Sequence, residues 1–267
     1  MARQASALPP YQALLAVDIR DFSGILGRDH AQITDVVPTI LGAAFERCGL
    51  LRVWRGRRFT IGTGDGCAVG FPSEVLPYLL NPFLQSLQDE LDFRDQVRTD
   101  PVSVRLRVSI NVGPVTDSGQ GLLSEGSGTS RIELHRLLDA DPVKELLNRS
   151  GPTTRVVAIV STRAYHDAVL AGYAADSPEH YVAVPVKVKK MATEGYLRVP
   201  SPTGDLLRSG FLPRDAEPRE VGPAVDPSST TREATHSYTI HGTGNINSGP
   251  GNQFNGPGAT YHDKRRP

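Results

Sequence analysis

The sequence has 267 residues, 39% of them hydrophobic and 22% charged, and its 29 Lys and Arg balance its 29 Asp and Glu. This length suits one large domain or two small ones, and the zero charge balance argues against a dedicated nucleic-acid binder, which normally carries a basic excess. Two cysteines, Cys48 and Cys67, cannot form a disulfide framework and have no zinc-ligand spacing, so we expect a cytoplasmic protein. Since no apolar run reaches the roughly 20 residues that span a bilayer, we expect neither export nor membrane insertion.

Hydrophobic periodicity divides the first 190 or so residues into strands and helices. Short continuous apolar runs predict strands buried on both faces, and the strict alternation in 102–110 predicts a strand with one exposed face. In chain order, the predicted elements are a strand at 13–17, a helix at 33–45, extended segments at 51–54, 58–61 and 67–71, a helix at 75–93, a strand at 102–110, a helix at 132–147, a strand at 156–160, a helix at 162–170 and a strand at 181–188. This order predicts an α/β fold with a mixed, ferredoxin-like sheet that carries additions.

Two carboxylates are predicted to meet at one edge of this sheet. The glycine-rich turn Gly62–Gly66 indicates a β-hairpin with Asp65 at its tip, and the first strand of a ferredoxin-like sheet lies antiparallel beside the second arm of the hairpin. Asp18, directly after the first strand, should therefore face Asp65. Two close carboxylates repel unless a cation lies between them, and oxygen ligands suit Mg²⁺ or Mn²⁺ carrying a nucleoside triphosphate. The alternative is structural, with Asp18 as a helix N-cap and Asp65 in an ordinary tight turn.

The composition changes after about residue 200. Prolines arrive among Ser, Thr, Asp, Glu and Arg, which predicts a disordered linker over 201–235 without a core of its own. A Gly/Asn-rich segment follows over 236–267. The predicted folded domain is therefore 10–200.

Three segments in order resemble the class III nucleotidyl cyclase homology domain. They are Ala16–Ser23, Gly64–Phe71 and Arg107–Val115, and the match covers residues 10–200. The resemblance implies that Asp18 and Asp65 bind two divalent ions per site, Mg²⁺ or Mn²⁺, which help activate the ribose 3′-hydroxyl and hold the triphosphate for attack on the α-phosphorus with loss of pyrophosphate. It also implies a homodimer, because the active sites of such enzymes form between two domains.

The same resemblance assigns further residues, and the chain departs from the family at some of them. Arg136 matches the arginine of the transition-state pair, but Ile132 stands where the family has an asparagine. Losing one such donor costs about 10²–10³ in rate. The positions that the resemblance assigns to substrate binding are Phe22, Ile61, Gly64 and Glu125. Because adenylyl cyclases have a base-reading lysine at the position of Ile61, the base stays open, with a pyrimidine as in cyclases of bacterial antiphage systems as one alternative.

The C-terminal segment resembles bacterial amyloid-signalling motifs, which are similar to the RIP homotypic interaction motif. Apolar or aromatic residues alternate with small polar ones from Tyr238 to Asn247, and copies stacked in register would form asparagine ladders. The predicted assembly residues are Ile240, Gly242, Asn245, Asn247, Asn252 and Phe254. The resemblance implies recruitment by an NLR-like receptor that carries the same motif, in bacterial defence. The alternative is a disordered tail.

Two functions are therefore compatible with the sequence. The first is a nucleotidyl cyclase-like effector whose tail clusters it and raises the effective concentration of domains that must pair. The second is a catalytically inactive pseudo-cyclase that serves as a nucleotide-binding or protein-interaction module.

Overall fold

The computed structural model describes residues 5–24, 26–97, 103–120, 122, 124–212 and, as short strands, 236–239, 246–247, 253–254 and 260–263. The chain divides into two compact units, Met1–Asp215 and Ala216–Pro267. None of the helices in the described ranges combines the length and apolar composition that a bilayer crossing needs.

The first unit is built on a seven-stranded mixed sheet. Its strands are β1 (Tyr11–Ile19), β2 (Phe59–Gly62), β3 (Gly66–Pro72), β4 (Leu106–Pro114), β5 (Val156–Ser161), β6 (Tyr181–Val188) and β7 (Met191–Arg198). They lie in the order β2-β3-β1-β4-β5-β7-β6, with β4 and β5 parallel and the other neighbours antiparallel. The half β2-β3-β1-β4 is a ferredoxin-like sheet and β5, β7 and β6 are additions, which confirms the predicted fold class.

Helices cover both faces of the central strands. They are α1 (His30–Arg47), α2 (Leu51–Arg55), α3 (Leu76–Tyr78), α4 (Leu84–Val97), α5 (Thr129–Leu138), α6 (Asp141–Arg149), α7 (Thr162–Ala164) and α8 (Gly204–Ser209). On β1, Leu15 and Val17 belong to a core with residues of α1 and α4, whereas Leu14 and Ala16 belong to another with Leu134 of α5. The continuous apolar run of β1 is explained by this double burial, because alternate side chains of a strand point to opposite faces.

The prediction of an extended segment at 51–54 is wrong, since these residues lie in α2. Gly49 ends the preceding helix with a φ of +76°, as expected for a C-terminal glycine. The chain then turns into α2, where the Trp54 ring stacks on Phe45 with 5.5 Å between the ring centroids. Burial of this indole against α1 favours the helix over the extended form.

The prediction of one exposed face for strand 102–110 is right only in part, since Ser103 is exposed and Arg105 and Arg107 are half-buried, but Ser109 is buried. The strand is observed at Leu106–Pro114, and α5 covers the face that carries its polar residues. Ser109 Oγ donates to the Leu134 carbonyl at 2.9 Å, and Asn111 Nδ2 donates to the Ser130 carbonyl at 2.9 Å. The alternating polar residues are buried because the helix backbone supplies their hydrogen-bond partners.

Three predicted helices are interrupted, and one strand of the seven-stranded sheet was not predicted. Non-helical Asn81 divides 75–93, Ala140 separates α5 from α6 within 132–147, and a π-helical turn at Tyr165–Leu170 follows α7. The strand missing from the prediction is β7.

Residue Leu206 of α8 is buried in the core formed by α6, β5, β6 and β7, although it lies beyond residue 200. The range predicted as a linker, 201–235, thus begins with a short helix, and its residues from 213 onward lie outside the described ones. The limits 10–200, 201–235 and 236–267 stay predictions.

The described residues of the second unit form four short strands in two antiparallel pairs. β8 (His236–Thr239) pairs with β11 (Thr260–Asp263), and β9 (Ile246–Asn247) pairs with β10 (Gln253–Phe254). Two predicted assembly residues, Asn247 and Phe254, lie in β9 and β10. The predicted assembly residues outside the described ones are Ile240, Gly242, Asn245 and Asn252.

Candidate active site

The last residues of β1 bring Asp18 between two neighbouring strands. In the strand register Asp18 lies opposite Gly66 of β3 and opposite Arg107 of β4. Arg107 Nη2 donates to Asp18 Oδ2, and the two side chains are 16% and 10% exposed, respectively. Asp18 is therefore half of a buried ion pair, not a helix N-cap.

One oxygen of this buried carboxylate is left without a partner. Asp18 Oδ1 and Arg107 Nε are both buried, and neither makes a hydrogen bond to any residue that the structure describes. Burial lowers the pKa of Arg107, an effect that the charge of Asp139 partly offsets. Since buried polar atoms are nearly always satisfied, Oδ1 is a candidate acceptor for a hydrogen bond or a cation.

The hairpin turn holds Asp65 against the end of β1. The Ile19 N–H donates to the Asp65 carbonyl at 3.0 Å, and the Thr34 hydroxyl donates to the Gly64 carbonyl at 2.6 Å. Gly64 has a φ of +93°, which suits glycine. A Cβ at Gly66 would lie 1.9 Å from the Val17 carbonyl oxygen, so only glycine permits this close approach of β3 to β1. The backbones of Asp18 and Asp65 are thus close, and the facing of their two carboxylates stays a prediction.

The Asp65 carboxylate is half-buried and, within the described residues, makes no side-chain hydrogen bond or ion pair. The described residues contain no cluster of three His, Cys, Asp or Glu that could hold a metal by themselves. Mg²⁺ is commonly held by one or two carboxylates together with substrate phosphates, so such a cluster is not required. The unpartnered Oδ1 of Asp18 and the free Asp65 carboxylate are the donors that fit a divalent ion here.

Helix α5 lies on the same face of the sheet as Asp18. Its contacts pair Ser109 with Leu134 and Asn111 with Ser130, so the helix runs antiparallel to β4. Its C-terminal end is near Arg107, because burial lowers the pKa of Arg107 and the charge of Asp139, at the end of α5, partly offsets this lowering. Arg136 therefore sits in the part of the helix nearer to Asp18.

The exposure of the α5 side chains differs between the two positions of the predicted transition-state pair. Arg136 is half-buried and, among the described residues, has no side-chain partner. Ile132 is 51% exposed, one turn earlier. The helix thus presents one unengaged guanidinium and, in place of an amide, an exposed aliphatic side chain.

Glu125 accepts hydrogen bonds from another residue of its own loop, which connects β4 to α5. Both carboxylate oxygens of Glu125 accept from the Ser118 N–H, at 3.0 and 2.9 Å, and Oε1 also accepts from the Ser118 hydroxyl. These hydrogen bonds, the hydroxyl one first, lower the pKa of Glu125. These hydrogen bonds connect the two ends of the loop. They leave the Glu125 carboxylate with few free lone pairs to accept a hydrogen bond from a substrate base.

The other predicted substrate-binding residues lie at two places. Ile61 is half-buried on β2 and packs on the core that contains Leu14 and Ala16, which is the face of Asp18. Phe22 packs against the core on the opposite face. The structure thus brings Asp18, Asp65, Gly64 and Ile61 to one region, and places Phe22 against the other layer.

Arg107 is the site residue that sequence reasoning missed. The sequence does contain a signal for Arg107. When β4 pairs antiparallel with β1, the register places Arg107 opposite Asp18, and both side chains lie on the same face of the sheet. The missing step was the choice of β4 as the second neighbour of β1.

Comparisons with known proteins give structural likenesses only. No family model matches the sequence, and no curated protein matches it. The guanylyl cyclase Cya2 is 13% identical, with 70% of this chain and 89% of that chain covered and a TM-score of 0.48. The adenylyl cyclase CyaB from P. aeruginosa is 13% identical over 72% of this chain and 94% of that chain, with a TM-score of 0.44. Adenylate cyclases from Trypanosoma brucei are 14% identical over 72% and 90%, with a TM-score of 0.42. At these identities a likeness in fold says nothing of activity.

Proposed function

We propose that the first unit is a nucleotidyl cyclase-like domain that converts a nucleoside triphosphate to a cyclic nucleotide. The ribose 3′-oxygen would bond to the α-phosphorus, the bond from that phosphorus to the pyrophosphate oxygen would break, and the hydroxyl proton would pass to solvent. The observation that carries the proposal is the buried, unpartnered Oδ1 of Asp18 beside the turn that holds Asp65.

Asp18 and Asp65 would hold two divalent ions, Mg²⁺ or Mn²⁺, per site. Bound ions of this kind neutralise phosphate charge and favour ionisation of the attacking hydroxyl. Asp18 offers Oδ1, and Asp65 offers a carboxylate that makes no other side-chain contact in the described part of the chain. This donor set fits a cation that also carries a triphosphate.

Two arginines would handle the phosphates. Arg107 neutralises Asp18 in the free protein, and a guanidinium can exchange a carboxylate for a phosphate oxygen at similar geometry. Arg136 lies unengaged in the part of α5 nearer to Asp18 and can donate to the charge that develops on the phosphates. A homodimer would complete the site.

A second candidate function is a pseudo-cyclase that binds a nucleotide or a partner without turnover. Two observations favour it. Ile132 places an apolar side chain on the exposed face of α5, and Ser118 occupies the Glu125 carboxylate. The first would remove a transition-state donor, and the second would remove a base-reading group.

The tail is proposed to cluster the domain, on a matching NLR-like receptor or on other copies, in bacterial defence. Support comes from its strand pairs. β8 and β11 pair with one another, as do β9 and β10, so among the described strands each pair has two outer edges without a neighbour. Two-stranded ribbons are marginally stable alone, and open edges are templates for a further strand.

The proposal is tested by incubating the purified full-length protein with each common nucleoside triphosphate and Mn²⁺. Cyclic product and pyrophosphate are measured by mass spectrometry and by a coupled assay, at protein concentrations that favour dimers and after tail assembly. We expect product from the wild type and none from Asp65→Ala. Nucleotide binding by calorimetry without any product would instead favour the pseudo-cyclase.

A further inference from the structure

The pairing of β1 with β4 continues one residue beyond the end of β1. The Arg20 N–H donates to the Arg105 carbonyl at 2.9 Å, in the same register that places Asp18 opposite Arg107. Since side chains alternate between the two faces of a strand, Arg20 and Arg105 lie on the face that carries Asp18 and Arg107. Arg20 is therefore the next side chain after Asp18 on this face.

The other arginine of this cross-strand pair already uses its donors. Arg105 Nε donates to the Thr154 carbonyl at 2.9 Å, and its Nη2 donates to the Leu147 carbonyl at 2.8 Å. Burial, and after it the charge of Arg20, lowers the pKa of Arg105 to about 10. Like charges directly opposite each other on a sheet are destabilising, and an anion bound to Arg20 would reduce this repulsion.

Arg20 has only a weak partner of its own. Its Nε lies 2.9 Å from Asp21 Oδ2 without the geometry of a hydrogen bond, and the Asp21 side chain is 74% exposed. The Arg20 side chain is 27% exposed. Its terminal nitrogens Nη1 and Nη2 reach the surface and make no hydrogen bond within the described ranges. Because an ion pair with so exposed a partner contributes little, the guanidinium can bind another anion instead.

The chemistry of the neighbouring region indicates which anion this is. Two divalent ions carry less charge than a triphosphate and two aspartates together, so a triphosphate held near Asp18 and Asp65 requires further cations. Arg107 is already paired with Asp18. Arg20 presents two terminal donors, and a guanidinium fork matches two oxygens of a phosphate group.

We propose that Arg20 binds the triphosphate of the substrate, with Nη1 and Nη2 donating to phosphate oxygens, and that Asp21 holds this guanidinium in the free protein. The inference rests on the proposed function, because it assigns a further binding residue to the same site. The nucleoside takes no part in this contact, so an inorganic polyphosphate is a sufficient probe.

The test is isothermal titration calorimetry of the full-length protein with sodium tripolyphosphate, with equal Mn²⁺ in both solutions. We expect saturable binding to the wild type, about tenfold weaker binding to Arg20→Gln and an intermediate loss in Arg20→Lys, which keeps the charge without the fork. Asp21→Asn should bind more tightly than the wild type, because it removes the competing charge and asparagine tolerates the φ of +57° at this position. The matched control is Arg52→Gln, at an exposed arginine of α2, which should bind as the wild type does.

A second comparison separates phosphate binding from a structural role of Arg20. Arg20→Gln should weaken the binding of a nucleoside triphosphate about tenfold and leave that of the monophosphate nearly unchanged, whereas a damaged fold would weaken both. If Arg20→Gln does not fold, as judged by circular dichroism, Asp21→Asn carries the test.

The inference and the proposed function can fail separately. The inference is overturned if the wild type does not bind tripolyphosphate saturably, if folded Arg20→Gln keeps the wild-type affinity, or if Asp21→Asn binds no more tightly. Binding that depends on Arg20, together with no cyclic product from the wild type, would support the inference and reject turnover.

Discussion

Arg107 of β4 and Asp18 of β1 lie directly opposite each other in the strand register and form a buried ion pair. The pair uses one carboxylate oxygen and leaves Oδ1 without a partner. Arg107 thus occupies one carboxylate oxygen of Asp18, and the other oxygen has no hydrogen-bond partner among the described residues. Asp18 therefore has two roles at two atoms: Oδ2 forms the ion pair, and Oδ1 is the atom proposed to bind a metal.

The two aspartates should differ in their contribution to stability. Asp18→Ala leaves Arg107 buried and unpaired, and breaking a buried pair in this way costs about 3–5 kcal/mol. Asp65→Ala removes a carboxylate without a described partner, so the free energy of unfolding should change by no more than about 0.5 kcal/mol. Urea unfolding without metal measures both. Equal losses would contradict the assignment of the ion pair, and Asp18→Ala combined with Arg107→Met should recover part of the loss.

Removal of the arginine should strengthen metal binding at Asp18. Arg107 competes with a cation for the carboxylate, and a hydrogen bond to a charged group contributes about 1.5–3 kcal/mol, so Arg107→Gln should bind Mn²⁺ about tenfold or more tightly. Electron paramagnetic resonance of free Mn²⁺ gives the affinity independently of activity. Asp65→Ala in the same background should weaken binding again. Weaker Mn²⁺ binding by folded Arg107→Gln would show that Arg107 does not compete.

Restoring an amide on α5 should raise cyclase activity. Ile132 is 51% exposed, so Ile132→Asn should fold normally and regain a donor worth about 10²–10³ in rate. Ile132→Ala is the matched control, because it removes the apolar side chain without adding a donor. Initial rates of pyrophosphate release with Mn²⁺ measure the effect. If both variants keep the wild-type rate, position 132 takes no part in the reaction.

The loop that contains Glu125 should weaken in acid. Hydrogen bonds from Ser118 lower the pKa of Glu125, so the carboxylate stabilises the folded state above its ordinary pKa of about 4.3 and loses that effect as the pH falls through the lower folded-state value. Ser118→Ala removes the hydroxyl donor and keeps the backbone one, so it should move the pKa of Glu125 part of the way back. Carbon-13 NMR titration of the Glu125 carboxyl measures this shift. An unchanged titration in Ser118→Ala would contradict the assigned cause.

Assembly through the tail should depend on its apolar strand positions. Phe254→Asp in the full-length protein places a charge in β10, and unpaired charges are excluded from dry cross-β interfaces, so fibre formation should be lost. Ser228→Asp, in the predicted linker, is the control and should assemble as the wild type does. Thioflavin T fluorescence and electron microscopy provide the measurement. Fibres from Phe254→Asp, or none from the wild type even with seeds, would overturn the proposed assembly.

Sequence patterns predicted the parts of the fold that depend on local signals. The apolar run before Asp18 predicted the buried strand, and the glycines around Asp65 predicted the hairpin whose second arm pairs with that strand. Both signals lie within a few residues of the feature they predict. The fold class followed from the order of such elements.

The predictions that fail in whole or in part concern residues whose environment comes from distant parts of the chain. Residues 51–54 are helical because Trp54 packs on Phe45, and β4 is covered because α5 accepts hydrogen bonds from Ser109 and Asn111. In β7, Gly195 weakens the strand pattern, yet a Cβ there would lie 2.9 Å from the Ile159 side chain, so the glycine serves packing. None of these partners is visible from periodicity within one segment.

The attachment of α5 to the sheet has a consequence for how this domain can change over time. Ser109 and Asn111 bind carbonyl groups of the helix, and these groups are the same whichever side chains the helix carries. The outer face of α5 is therefore free to exchange an asparagine for isoleucine, or the reverse, without a shift of the helix. A lineage could lose and regain a polar side chain at this position while the fold stays intact.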